Sequence, residues 1–248
     1  SAQRTPSLRE CEALLVGGGE PQGSHGSHSD GSGGGDDDAS IGADPEALGA
    51  LAGWALFGGP FGELIGGAMG RWVGEQRRMA LAEAERRGAC TIEWLTQASR
   101  SLDVGRPLHA VSHARKAVRL SDGLAGHATS SMRPHALFTL VRALEAANSG
   151  EPTAESQGLL RDTARLGHSS AQVELAERLE VSDPASALEW YARGAPGAAD
   201  GGIAWRRLGV MLLTGIGLEG GAPSYERAAD AFETASGLGD AEAAYNLG

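Results

Sequence analysis

From Thr91 to its end the chain is cut, by proline or a capping residue at one side and glycine at the other, into segments of a dozen or so residues. This punctuation constrains the fold most. Proline is accommodated at the first position of a helix, and glycine just past its end. The segments predicted as helices are Thr91 to Leu102, Pro107 to Leu120, Pro134 to Ala147, Thr153 to Leu166, Ser170 to Leu179, Pro184 to Arg193, Ile203 to Thr214 and Ser224 to Ser236. The short connections between them imply antiparallel neighbours, each pair hiding its apolar face only by stacking on the next. The apolar residues point the same way. They are mostly Ala and Leu, aromatics are 5% of the chain, and β-branched residues are few, which excludes an all-β fold.

Charge and glycine divide the chain unevenly. Residues 1–70 carry 2 basic and 10 acidic groups, residues 71–148 carry 12 and 7, and residues 149–248 carry 7 and 15, so a basic middle (+5) lies between two acidic flanks (−8 each). Half of the 38 glycines fall in the first 80 residues, without the three-residue period of collagen. A net charge of −11, with no long basic run and no base-stacking aromatics, argues against nucleic acid as a partner. The opening SAQRTPSLRE has no basic segment ahead of an apolar run, hence no visible signal peptide, and leaves open a transit-peptide remnant. The expectation is an intracellular protein, with mitochondrial or organelle-membrane association as one form of it.

Residues 17–40, GGGEPQGSHGSHSDGSGGGDDDAS, cannot repay the entropy of ordering and read as a flexible acidic tail. His25, His28 and Asp36 to Asp38 within it are read as solvated linker rather than metal ligands. Asp44-Pro45-Glu46 opens a helix that runs through Ala47 to Phe57, is halted at Gly58-Gly59-Pro60 and is followed by a second from Phe61 to about Arg87, ending at Gly88. This is a helical hairpin. Gly62, Gly66, Gly70 and Gly74 line one face of its second arm, as Gly49 and Gly53 line the first, so another helix can approach closely. Glu63 is the one charge between Ala47 and Gly70, and Arg71, Arg77, Arg78, Arg86 and Arg87 follow it. Each apolar stretch is shorter than the roughly 20 residues of a membrane span. Two readings stand: packing of the glycine face on a helix, and peripheral contact with a membrane through residues 44–88.

An internal repeat lies in the tail. Leu175-Ala176 recurs as Leu208-Gly209 and as Leu247-Gly248, and Ala187 with Tyr191 recurs as Ala228 with Phe232. These residues, with Gly215-Ile216-Gly217-Leu218 between helices and Gly237-Leu238-Gly239-Asp240-Ala241 between units, resemble the Sel-one-like repeats, relatives of tetratricopeptide repeats. The resemblance covers residues 166–248, with a third unit incomplete. The connection Glu180 to Asp183 is too short for the usual glycine pair. Trp94, Ala98, Gly105, Ala110, Ala114 and Ala117 are similar to a tetratricopeptide unit over residues 91–122, and residues 133–166 are a further, divergent pair.

The fold expected is therefore all-α. It is a right-handed α-solenoid of antiparallel helix pairs, preceded by a disordered Gly/Ser/Asp tract (1–43) and a glycine-zipper-like hairpin (44–88), with tetratricopeptide-like pairs over 89–166 and Sel-one-like repeats over 167–248. The resemblance implies a protein or peptide partner on the solenoid surface and no chemistry of its own.

No catalytic set stands out, and neither cofactor, metal nor small-molecule substrate is expected. His109 and His113 have the four-residue spacing of a zinc pair but lack the intervening Glu of HExxH and a third ligand. Gly17 to Gly19 lacks phosphate-loop spacing. Cys11 and Cys90 are too few for a disulfide scaffold, and Cys90 is read as a small core residue. Arg100, Arg106, Arg115, Lys116 and Arg119 form a candidate face for an anionic partner. Trp190, Tyr191, Trp205, Tyr225 and Phe232 are assigned to the core.

Overall fold

The structure is a computed structural model that describes residues 6–17, 59–122 and 132–247, with backbone alone for 59–67. The first arm of the expected hairpin and nearly all of the Gly/Ser/Asp tract lie outside the described residues. Regular structure among the described residues is helical. The helices are α1 (Leu8–Gly17), α2 (Gly59–Asp103), α3 (Pro107–Ser121), α4 (Met132–Ala147), α5 (Ala154–Arg165), α6 (Ser169–Leu179), α7 (Pro184–Gly194), α8 (Gly201–Thr214), α9 (Tyr225–Gly237) and α10 (Ala241–Asn246). Short 3-10 turns follow α7 (Ala195–Gly197) and α8 (Glu219–Gly221).

The chain forms two compact units, Ser1–Cys11 with Gly88–Gly248, and Glu12–Arg87. In the larger unit each helix from α3 to α10 packs on the next in the chain. Local chemistry sets their limits. Pro107 and Pro184 begin α3 and α7. Thr153 and Ser156 close a reciprocal capping box on α5, Ser156 N donating to Thr153 Oγ1 at 3.0 Å and Thr153 N to Ser156 Oγ at 2.9 Å. Asp183 and Asp240 cap α7 and α10 by accepting from Ser186 N and Ala243 N. The caps hold the Asp183 carboxyl below its ordinary range; for Asp240 the Ala243 N–H and Arg206 outweigh desolvation, to the same end.

The core is built from small residues facing larger ones. Leu175, Ala176, Leu208, Ala187, Tyr191, Ala228 and Phe232, the positions of the internal repeat, are all buried. Gly209 lets α8 and α9 approach closely: a Cβ there would stand 2.7 Å from the Phe232 ring. Gly194 likewise lies against Ser169 O and Gln172. Trp94, Ala98, Ala110, Ala114 and Ala117 are buried in the first helices of this unit, and Ala98 and Ala114 share a cluster with Leu140. Of the aromatics assigned to the core, Tyr191 and Phe232 are buried and Trp190 and Trp205 pack against it, whereas Tyr225 is 69% exposed. Tyr225 begins α9 and projects from its first turn. In the third register position Leu247 is half exposed, and Gly248 lies outside the described residues.

Two expectations are corrected. No helix ends at Gly88, and none opens at Thr91: α2 is continuous from Gly59 to Asp103. A single glycine inside a helix costs about 1 kcal/mol, and here Gly88, Cys90 and Thr91 are all buried, so packing outweighs it. Cys90 is indeed buried, but it is not a free core thiol. It is disulfide-bonded to Cys11 of α1, 79 residues away, with Cα atoms 5.3 Å apart.

Candidate functional site

The expected anionic-partner face does not form one unengaged cluster. Arg115 on α3 reaches across α4 to Glu155 on α5, its Nη2 donating to both carboxylate oxygens at 3.0 and 3.2 Å. Lys116 lies with Nζ 4.0 Å from the centroid of the Trp94 ring, a cation–π contact. Arg119 is exposed on the last turn of α3. Arg100 and Arg106 are exposed at the turn between α2 and α3, beside Val104 (70% exposed), Leu108 (74%) and the exposed Asp103. This turn is thus a mixed apolar and basic surface, with one carboxylate in it.

On α2, Gly70 is buried and Gly74 half-buried, while Gly62 and Gly66 lie in the stretch described by backbone alone. Met69, Trp72, Val73, Met79 and Leu81 of the same helix are exposed. Among the described residues no helix is long and apolar enough to cross a membrane.

His109 is exposed, and His113 faces inward instead, its Nδ1 3.2 Å from Ser101 Oγ and its ring 5.3 Å from that of Trp94. The described residues contain no group of three or more His, Cys, Asp or Glu arranged to hold a metal ion.

Sequence reasoning missed a set of polar ties that skip a helix. Glu145 of α4 accepts from Arg178 of α6 at 2.9 and 3.0 Å and from Ser156 Oγ of α5 at 2.8 Å, joining three helices. Arg178 also holds Glu174. Glu180, just past α6, accepts from Arg207 of α8 at 3.0 Å and from the Tyr191 hydroxyl of α7. Arg206 of α8 holds Asp240 (3.0 Å) and Glu242 (2.8 Å). Burial raises the Glu174 carboxyl, with Arg178 opposing; burial and then the Glu180 carboxylate drive the Tyr191 phenol far above its ordinary value. These groups tie helices to one another, while Arg178 Nη1 and Arg207 Nε are buried without a hydrogen-bond partner.

Arg178→Met should therefore cost about 2 kcal/mol at pH 7, because it strands Glu145, whose side chain is 13% exposed, and Glu174. The loss should shrink toward pH 5 as the Glu174 carboxyl, already raised by burial and freed of the opposing Arg178, takes up a proton. Urea midpoints of both proteins at the two pH values measure it; an equal loss at pH 5 and 7 would contradict the pairing.

A second missed group joins α4 to α6. His168 and His135 lie side by side with Phe138, next to a cavity of about 390 Å³. Both this pair and Glu145–Arg178 are separated by 33 residues, as are Leu175 and Leu208. One repeat length was the signal that would have found them.

Comparison with protein-family models and with curated proteins finds no match for this chain.

Proposed function

We propose that the chain is a non-catalytic protein–protein interaction adaptor, a right-handed solenoid of antiparallel helix pairs related to Sel-one-like and tetratricopeptide repeats. The observation that carries this reading is packing of each helix on the next, with the repeat positions Leu175-Ala176, Leu208-Gly209, Ala187-Tyr191 and Ala228-Phe232 all buried and Gly209 set against the Phe232 ring. Such an array buries its core between neighbours and leaves long surfaces for a partner. The partner is a protein or peptide carrying acidic and apolar groups, received at the α2–α3 turn by Arg100, Arg106, Val104 and Leu108. Residues 44–88 are its docking segment toward a membrane or partner helix, a role supported by the exposed Met69, Trp72, Val73 and Met79. The Cys11–Cys90 bond favours an organellar or other oxidising compartment over a reducing one.

The test is site-specific photo-crosslinking in the source cell. A photoreactive residue at Val104 or Leu108 should give an adduct of one discrete mass, and one at Val181, which is 97% exposed on a remote turn, should not. Equal or absent adducts at all three sites would overturn the assigned surface. A purified chain that aggregates without its companions would instead favour the other reading, a structural subunit of an organellar assembly.

A further inference from the structure

His168 is hydrogen-bonded through both ring nitrogens. Its Nδ1 accepts the Ala171 backbone N–H at 3.2 Å and thereby caps α6, and its Nε2 lies 2.9 Å from Nδ1 of His135 on α4. The ring meets His135 edge-on at 4.6 Å and lies against Phe138 at the same separation, with 9% of the residue exposed. The Ala171 amide can only donate, so His168 Nδ1 carries no proton, and the neutral ring holds its proton on Nε2. That proton is donated to His135 Nδ1, which leaves the proton of His135 on its own Nε2. Of the three inward nitrogens one carries a proton and two only accept. A second one placed at His168 Nδ1 removes the cap on Ala171, and one placed at His135 Nδ1 sets two N–H groups against each other.

We propose that the His135–His168 couple is a proton-operated latch between α4 and α6, closed while both rings are neutral and opened by acidification. Its surroundings leave a cation there unsupported. From α4 the ring is faced by His135, while Arg133 of the same turn is paired with Asp122. On the side of α5 and its following turn, the Thr163 carbonyl accepts the His168 backbone N–H at 3.3 Å, and Asp162 and Arg165 are exposed and paired with each other. On α6 itself Ser169 and Ser170 are uncharged, Gln172 donates to Ala164 O, and Glu174 is held by Arg178. The 3-10 turn Ala195–Gly197 brings no titratable side chain. Burial, and then the neighbouring His135, push the His168 imidazole down from 6.5 to about 4.

A lowered folded-state value means that the group's contribution to stability is complete above pH 6.5 and is lost as pH falls toward 4. The adjoining cavity, lined in part by Pro134, His135, Ser169 and Gly197, is large enough to admit water to the rings once the pair separates. The device works on the chain's own helices and does not depend on the proposed partner.

Two measurements on the full chain test the latch. Long-range proton–nitrogen spectra of the imidazoles should show His168 as the Nε2–H tautomer from pH 7 to 5; an Nδ1–H tautomer, or titration near 6.5, overturns the proposal. Amide exchange at Ala171 and Gln172, corrected for intrinsic rates, should accelerate at least about tenfold between pH 7 and 4.5. His168→Asn keeps a capping oxygen and removes the proton acceptor. It should abolish that acceleration, and an acceleration that persists in the variant overturns the latch.

Discussion

Gly215→Ala is expected to destabilise the protein by about 2 to 5 kcal/mol. Gly215 ends α8 in the left-handed region (φ 77°), which costs an L side chain about 1 to 2 kcal/mol. A Cβ there would also stand 2.2 Å from Gly221 O. Backbone is what it meets, and backbone cannot turn aside as a side chain does, so a further 1 to 3 kcal/mol is expected. Gly239 supplies the control: its φ is 91°, but nothing lies within 4 Å of its Cβ position, so Gly239→Ala should cost only the conformational share, about 1 kcal/mol. Urea unfolding followed by tryptophan fluorescence separates the two. Equal midpoints would mean that the close approach of the Gly215 and Gly221 segments does not exist in solution.

The second large effect belongs to the disulfide. Replacing Cys11 and Cys90 together by serine frees a closure spanning 79 residues. The chain-entropy relation gives about 4.5 kcal/mol for a loop of that length. The melting temperature should fall accordingly, and the parent protein, reduced while unfolded, should refold with the stability of the double variant. Both sulfurs are buried, so the folded protein should resist alkylation and reduction. A parent chain that takes up two alkyl groups on denaturation without reductant has no such bond, and the prediction fails with it.

Elements whose limits depend on neighbours in sequence were legible there. Pro107, Pro184 and the Thr153 capping residue placed the starts of α3, α7 and α5 within a residue, and Gly215 marked the end of α8. What the sequence concealed depends on residues brought together by packing. Gly88 has the form of a helix stop, and only its burial beside Cys90 explains why α2 runs through it. Cys11 and Cys90 are separated by the Gly/Ser/Asp tract, so nothing local relates them. The basic face was read from charge alone, which cannot tell that Arg115 is engaged by Glu155 and Lys116 by Trp94. The histidine pair was concealed for the opposite reason: its period was in view, but the repeat had been followed only through apolar positions.

The ties that skip a helix have a mechanical consequence. Arg115–Glu155, Glu145–Arg178, Glu180–Arg207 and Arg206–Asp240 each tie together elements separated in the chain by one helix, as overlapping lashings do. What joins each helix to the next but one is therefore in part electrostatic. Salt acts on these ties unequally. Arg115 and Glu155 are about half exposed and yield to screening by salt, whereas Glu145 and Asp240 are shielded and do not. Ionic strength thus loosens the Arg115–Glu155 tie before the Glu145–Arg178 and Arg206–Asp240 ties.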